Sequence, residues 1–265
     1  MTDSPGIIVA LANQKGGVGK STTAINLSAG LALQGLRCLL VDLDPQGNAT
    51  SGLGIDRSSI TVSIYDVLLK EAPAEDAIEA TSVKNLFVLP ATIDLAGAEI
   101  ELVPAFSREA RLKAALATIV DDYDVVFIDC PPSLGLLTVN ALSAANEVLI
   151  PIQCEYYALE GLSQLLKNVD LVRRQLNPAL KVEGVVLTMY DPRTNLCRDV
   201  ASQVRKHFGD DTYRTVIPRS VRISEAPSYG EPIEAFDPMS RGAIAYRELG
   251  REFKRRHGFD GGGMK

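Results

Sequence analysis

No stretch of the 265-residue chain strings together the roughly 18 apolar residues that a membrane-spanning helix requires. The opening MTDSPGIIVA lacks the basic start and long apolar core of a secretory leader, so a cytoplasmic protein is expected. Cysteine is sparse and dispersed. Cys38, Cys130, Cys154 and Cys197 form no C-x-x-C pair, which leaves zinc and dithiol-redox chemistry without ligands at the needed spacing. Three of the four lie in or beside apolar runs and read as small buried side chains. No zinc-finger spacing appears, and no helix-turn-helix pattern precedes the glycine-rich segment near the N-terminus. Nor is the chain basic: a formal net charge of −6 argues against a protein that coats nucleic acid over its whole surface.

That charge is unevenly placed. From Arg193 onward 14 Lys+Arg face 10 Asp+Glu, whereas residues 1–192 carry 13 and 23. A basic C-terminal third on an acidic body is compatible with local contact to a polyanion.

Short aliphatic or β-branched runs mark buried strands at GIIVALA (6–12), RCLLVDLD (37–44), DVVFIDC (124–130), EVLIPIQ (147–153) and VEGVVLTMY (182–190). Between them lie helical patterns. TTAINLSAGLALQG repeats apolar residues at helical intervals and stops at Gly35, a C-terminal cap. Leu162, Leu165, Leu166, Val169, Val172 and Leu176 give a second apolar face. Strands apolar on both faces, alternating with amphipathic helices, predict an α/β fold: a mainly parallel twisted sheet with helices on both faces. Ligands of such sheets bind at the carboxyl ends of the strands, where every chemically suggestive residue of this chain falls. Without an internal repeat, a long linker or a second composition regime, residues 1–256 are expected to form a single domain. Residues 257–265, ending in FDGGGMK, read as a flexible tail.

The segment NQKGGVGKSTT (13–23) follows a strand and opens a helix, the setting of a phosphate-binding loop. The strict pattern G-x-x-x-x-G-K-[ST] would need glycine at position 14, yet Gln14 stands there and a second lysine, Lys15, follows. Gly16, Gly17 and Gly19 leave room around Val18 for backbone N–H groups to point at an anion, and the helix start adds its partial positive charge. Lys20 is placed to neutralise β- and γ-phosphate oxygens, Ser21 to ligate Mg²⁺, and Thr22 to donate to phosphate. VVFIDCPP ends a strand on Asp129, the usual position of a carboxylate that holds the Mg²⁺ hydration shell. In VDLDPQGN, Asp42 and Asp44 precede a turn forced by Pro45 and Gly47. Either aspartate is a candidate to orient an attacking water; strand alternation puts both on one face and does not choose between them.

KGGVGKST, DLDPQGN, FIDCPPS, QCEYYALEGL, TMYDPRTNL and IPRSVRISEAPSYGEPI together resemble the ParA/Soj chromosome-partitioning ATPases, within the deviant Walker-A class of P-loop NTPases, from about residue 6 to about residue 256. The resemblance implies an ATPase using ATP and Mg²⁺, with Asp44 at the catalytic position. It implies that Lys15 is a signature lysine reaching the nucleotide of a second copy in an ATP-sandwich homodimer. Ser21 stands where the family more often has threonine, and either hydroxyl ligates Mg²⁺. Adenine is expected near Pro218 and Met189.

The same resemblance implies nonspecific DNA binding by the dimer, nucleoid association, and release when a ParB-like centromere-binding protein stimulates hydrolysis. Arg193 and Arg222 match the family's type of DNA contact, and Arg219 lies with them in a basic set that also holds Arg205, Lys206, Arg214, Lys254, Arg255 and Arg256. With no base-reading motif, contacts to the phosphate backbone are expected, sensitive to salt. A ParA-like ATPase positioning another cargo is an alternative. A MinD-like membrane ATPase would need an amphipathic C-terminal anchor. Here SRGAIAYRELGREFKRRHG uses Ile244, Tyr246, Leu249 and Phe253 for packing and is followed by GGGMK, so no stable membrane anchor is expected. An iron–sulfur reductase would need cysteines in the dimer seam, a pattern these four do not match.

Overall fold

The computed structural model describes residues 6–155 and 158–259. Its eight strands are β1 (Ile7–Leu11), β2 (Cys38–Asp42), β3 (Glu79–Ala80), β4 (Leu86–Leu89), β5 (Val125–Asp129), β6 (Glu147–Gln153), β7 (Lys181–Tyr190) and β8 (Thr212–Pro218). They form one sheet in the order β3-β4-β2-β5-β1-β6-β7-β8, parallel throughout except for β3 against β4. The five runs expected from the sequence are all present; β3, β4 and β8 extend the sheet beyond them.

Period-two alternation sends each central strand's side chains into two separate cores. In β1, Ile8 and Ala10 join one cluster, and Val9 and Leu11 the other. In β5, Val126 and Ile128 go one way, Val125 and Phe127 the other. The helix Lys20–Leu33 covers one face together with the last helix, Arg241–Arg256, through Ile25, Leu27 and Leu31 beside Tyr246, Leu249 and Phe253. Helices Leu136–Ala144, Ala158–Gln175 and Asn195–Phe208 cover the other. Burial on both faces is why these strands read as unbroken apolar runs rather than alternating ones.

The helix Lys20–Leu33 ends where Gly35 is expected to end it. Gly35 adopts φ +97°, its N–H donates to the Ala32 carbonyl at 3.0 Å, and the Leu36 N–H reaches Leu31 at 3.2 Å. That pair of bonds needs a left-handed residue and turns the chain into β2. In Ala158–Gln175, Leu162, Leu165, Val169 and Val172 are buried and Leu166 is partly so, but Leu176 falls one residue past the helix and is exposed. Tyr246, Leu249 and Phe253 pack as expected, whereas Ile244 remains 44% exposed because it faces away from the sheet side of its helix. All four cysteines are buried and unpaired, and no helix among the described residues is long and apolar enough to cross a membrane. Three residues of the segment expected as a tail, 257–259, are described. His257 bonds to Glu147 and to the Phe253 carbonyl, and Phe259 packs on the core, while residues 260–265 lie outside the described residues.

Candidate functional site

The loop after β1 is pinned from three sides. Asn13 donates from its side-chain amide to the Pro151 carbonyl at the end of β6 and accepts the Lys15 N–H. From β7, the Thr188 hydroxyl donates to the Val18 carbonyl at 2.7 Å. Gly16 lies against Pro132, which follows β5. Gly17 and Gly19 take φ of +73° and +88°, a left-handed backbone that strains any residue with a side chain. Gly19 caps Lys20–Leu33, whose first-turn N–H groups have no intrahelical acceptors and sit on the wall of a cavity of about 620 Å³. That wall contains Gly16, Gly17, Gly19, Lys20, Ser21 and Thr22. Val18 is buried instead, and its contribution to the cradle is backbone held by Thr188.

Lys20 is 6% exposed, and burial lowers its pKa against the opposing pull of Asp129 and Asp44. Asp129 is fully buried behind the cavity. Burial, then the charge of Asp42, holds its carboxyl well above the usual range, with Ser21 and Lys20 its favourable neighbours. No donor meets hydrogen-bond geometry at either Asp129 oxygen. Two carboxylates, Asp129 and Asp44, thus act on one buried ammonium, and the two Asp129 oxygens lack partners beside the Ser21 hydroxyl. Both features fit a hydrated divalent cation, which supplies the missing charge and water donors. Among the described residues no three His, Cys, Asp or Glu side chains converge to ligate a metal directly.

The two aspartates of VDLDPQGN are not equivalent. β2 stops at Asp42, whose carboxylate is fully buried and accepts from the Thr50 N–H and hydroxyl, both at 2.7 Å, and from the Asp44 N–H. Burial raises Asp42 to about 6 in spite of those bonds. Its lone pairs are occupied in seating the short helix Asn48–Gly52. Asp44 lies past the strand and lines the cavity, with one oxygen accepting the Gln46 N–H at 3.0 Å. Only Asp44 presents a carboxylate to a ligand.

Met189 and Pro218 line the far side of the same cavity, at the carboxyl ends of β7 and β8. Met189 has φ +50°, a strained value for a residue with a side chain, next to the Thr188 that anchors the loop. Arg219 lines the cavity too, with its N–H bonded to the Tyr190 carbonyl. Lys15 does not line it: its ammonium is paired with Glu155 at 2.5 Å, and both side chains are about two-fifths exposed. Arg193 and Arg222 also lie outside the cavity. Arg193 is tied to Asp191, while Arg222 bonds to Asp237 and Glu225 and lies 4.6 Å over the Phe236 ring. The basic residues of the C-terminal third therefore do not form one patch. Arg205, Arg214, Arg255 and Arg256 border a separate cavity at the amino end of β8.

Sequence reading missed Thr188, Pro132, Tyr246 and Arg57 as parts of this site. Tyr246 packs as its place in the helix predicts, but it also lines the cavity, and its hydroxyl meets that of Thr23 at 3.3 Å. PP after Asp129 was a visible signal for a rigid turn against the loop. Thr188 and Arg57 act through bonds to backbone carbonyls, which leave no spacing pattern.

Comparison with known proteins places this geometry. Residues 6–182 match the family model described as an AAA domain. The chain is 61% identical over 247 residues to the sporulation initiation inhibitor protein Soj of Bacillus subtilis, covering 93% of this chain and 98% of that protein. It is 55% identical to the chromosome partitioning protein ParA of Myxococcus xanthus, over 95% of this chain and 89% of that protein. Among solved structures, one titled cobyrinic acid a,c-diamide synthase from Mycobacterium smegmatis, with bound ATP analog and magnesium, superimposes with TM-score 0.85 at 43% identity, covering 95% of each chain. The cell division ATPase MinD of Pyrococcus furiosus does so with TM-score 0.79 at 30% identity, over 94% of this chain and 99% of that one. The deviant loop, the parallel sheet that carries it and these full-length likenesses agree, and the chain belongs to the ParA/Soj family of chromosome-partitioning ATPases.

Proposed function

We propose that this protein is a Mg²⁺-dependent ATPase that cycles between a monomer and an ATP-sandwich dimer, binds DNA nonspecifically as the dimer, and is released by hydrolysis. The observation that carries the reading is the convergence of a glycine-rich helix start, buried Lys20 and Asp44 on one cavity, with the unpartnered Asp129 carboxylate behind Ser21. Lys20 and the first-turn N–H groups grip the β- and γ-phosphates, and the Met189–Pro218 side receives the adenine. Ser21 and, through water, Asp129 hold Mg²⁺, which when bound supplies positive charge to the phosphate oxygens. Asp44 accepts a hydrogen bond from the attacking water and sets it in line with the γ-phosphate.

Lys15 supports the dimer. A half-buried lysine next to the loop but outside the cavity has no role toward its own nucleotide while paired with Glu155, and is free to reach a second copy once that pair opens. Two triphosphates brought face to face carry like charges, and a lysine from each opposite copy offsets part of that repulsion. Removing the competing acid in Glu155→Gln is expected to lower the ATP concentration at half-dimerisation by about two- to fivefold, the scale of an exposed ion pair. Light scattering across an ATP titration reads this, and an unchanged midpoint refutes the competition.

DNA binding is assigned to Arg193 and Arg222, with Arg219 at the cavity edge. Joining two copies doubles the phosphate contacts and raises affinity through effective concentration. Arg222→Glu is expected to dimerise with ATP yet lose DNA affinity by tenfold or more, with a shallower salt dependence, about one to two phosphate contacts fewer per chain. Unchanged affinity and slope in a fluorescence-anisotropy salt series place the face elsewhere. A ParB-like centromere-binding protein as the stimulating partner, a single ATPase domain over residues 1–256, and a cytoplasmic, nucleoid-associated location complete the reading. The experiment that tests it as a whole is gel filtration with ATP or ADP, with and without nonspecific DNA, alongside phosphate release. A monomer under all conditions, or no release under any, overturns it.

A further inference from the structure

The turn that carries Asp44 is held by a residue that does not line the cavity. From Asp44 to Gly47 the chain closes on itself: the Gly47 N–H donates to the Asp44 carbonyl at 2.8 Å, and the Gln46 N–H to the Asp44 carboxylate. At its ends the turn is tied to its neighbours, by the Asp44 N–H to the Asp42 carboxylate at 3.2 Å and by the Ser51 N–H and hydroxyl to the Gly47 carbonyl, both at 3.0 Å, which leaves its middle to be held. The two carbonyls in its middle are both taken by the Arg57 guanidinium, which donates to Gln46 at 2.7 Å and to Pro45 at 3.1 Å. The fork lies so close over Gly47 (φ +66°) that a Cβ there would meet the guanidinium carbon at 2.6 Å. Glycine at 47 therefore serves two needs, the left-handed turn and the seat of the guanidinium.

We infer that Arg57 is a positioning residue for hydrolysis: its two-pronged grip on Pro45 and Gln46 fixes where the Asp44 carboxylate, and the Gln46 side chain on the same cavity wall, stand relative to the γ-phosphate. The inference rests on the ATPase reading given above. Two parallel bonds from one planar fork fix a direction as well as a distance, which a single ammonium on a flexible stem does not. A carboxylate that must place a water in line is sensitive to such a hold, since displacements of order 1 Å cost up to about a hundredfold in rate. ATP affinity is set on the other side of the cavity, by the loop and Lys20, and does not depend on it.

The test compares wild type, Arg57→Ala and Arg57→Lys as full chains with Mg²⁺ and DNA. Arg57→Ala should lower kcat by about tenfold to a hundredfold with KM for ATP within about twofold, and Arg57→Lys, which keeps one donor, should fall between. A general loosening of the fold would move both parameters and would not be repaired by lysine. Hydrogen exchange over residues 44–48, with a non-hydrolysable ATP analogue bound, reads the grip without turnover: faster in Arg57→Ala, slowed again in Arg57→Lys. Unchanged exchange, an unchanged kcat in an active enzyme, or a lysine variant no better than alanine overturns the inference. If exchange accelerates as expected while wild type releases no phosphate, the clamp stands and the ATPase reading falls instead.

Discussion

Replacing Lys20 with alanine is expected to remove nucleotide binding at physiological ATP and, with it, every nucleotide-dependent dimer. The residue is 6% exposed, lines the cavity, and donates from its ammonium to the Lys15 carbonyl at 3.3 Å. Burial pushes its pKa down against the opposing charges of Asp129 and Asp44, and the negative charge of an entering triphosphate favours the ammonium further. Charge-assisted bonds to the β- and γ-phosphates contribute about 1.5–3 kcal/mol each, and losing two corresponds to a hundredfold or more in affinity. The deletion also leaves the Asp44 carboxylate on the cavity wall, and Asp129 behind it, without the neighbouring ammonium. Titration with a fluorescent ATP analogue measures the effect, and thermal melting of the unliganded variant shows that the fold survives. Affinity within tenfold of wild type would mean that the loop's backbone alone holds the phosphates.

Asp44→Ala is expected to do the reverse: ATP binding kept or tightened, dimer and DNA binding retained, and turnover reduced by about 10²–10⁴-fold. Tightening follows from charge, because Asp44 lines the phosphate cavity as a like-signed group. Loss of turnover follows because Asp42, the other aspartate of the pair, is committed to Thr50 and cannot substitute. Gel filtration with ATP and phosphate release are measured on the same preparation. Hydrolysis retained at more than a tenth of the wild-type rate would assign the water to another group.

The contrast between those aspartates marks where sequence reading ends. β1, β2, β5, β6 and β7 were legible because burial on both faces writes a continuous apolar run. β4 is a four-residue piece, LFVL, and β8, TYRTVIP, is an edge strand with polar residues among the apolar ones; neither produces such a run. The phosphate loop was legible because glycine, lysine and hydroxyl must occur in fixed order. Asp42 and Asp44 share residue type and strand parity, and only the chain's departure from the strand after Asp42 separates them. Lys15 and Glu155 are 140 positions apart, and nothing in the spacing of either announces their ion pair. The basic third dispersed for a related reason: composition counts charges, while the fold sends Arg219 to the nucleotide cavity and Arg205 to the opposite end of β8.

A last consequence concerns the rim of the sheet. β8 is its terminal strand, and such a strand offers unpaired N–H groups to any extended chain that meets it. Here the Glu252 carboxylate, 6% exposed on the last helix, accepts the Arg214 and Thr215 N–H groups at 2.8 and 2.9 Å and the Thr215 hydroxyl besides. Arg256 takes the Asp210 and Thr212 carbonyls. The margin along which copies would zip together without need of nucleotide is thereby stoppered from within. In the dimer proposed above, self-association falls instead to the end of the molecule that bears the phosphate loop, and a union made there through ATP is one that a chemical step undoes.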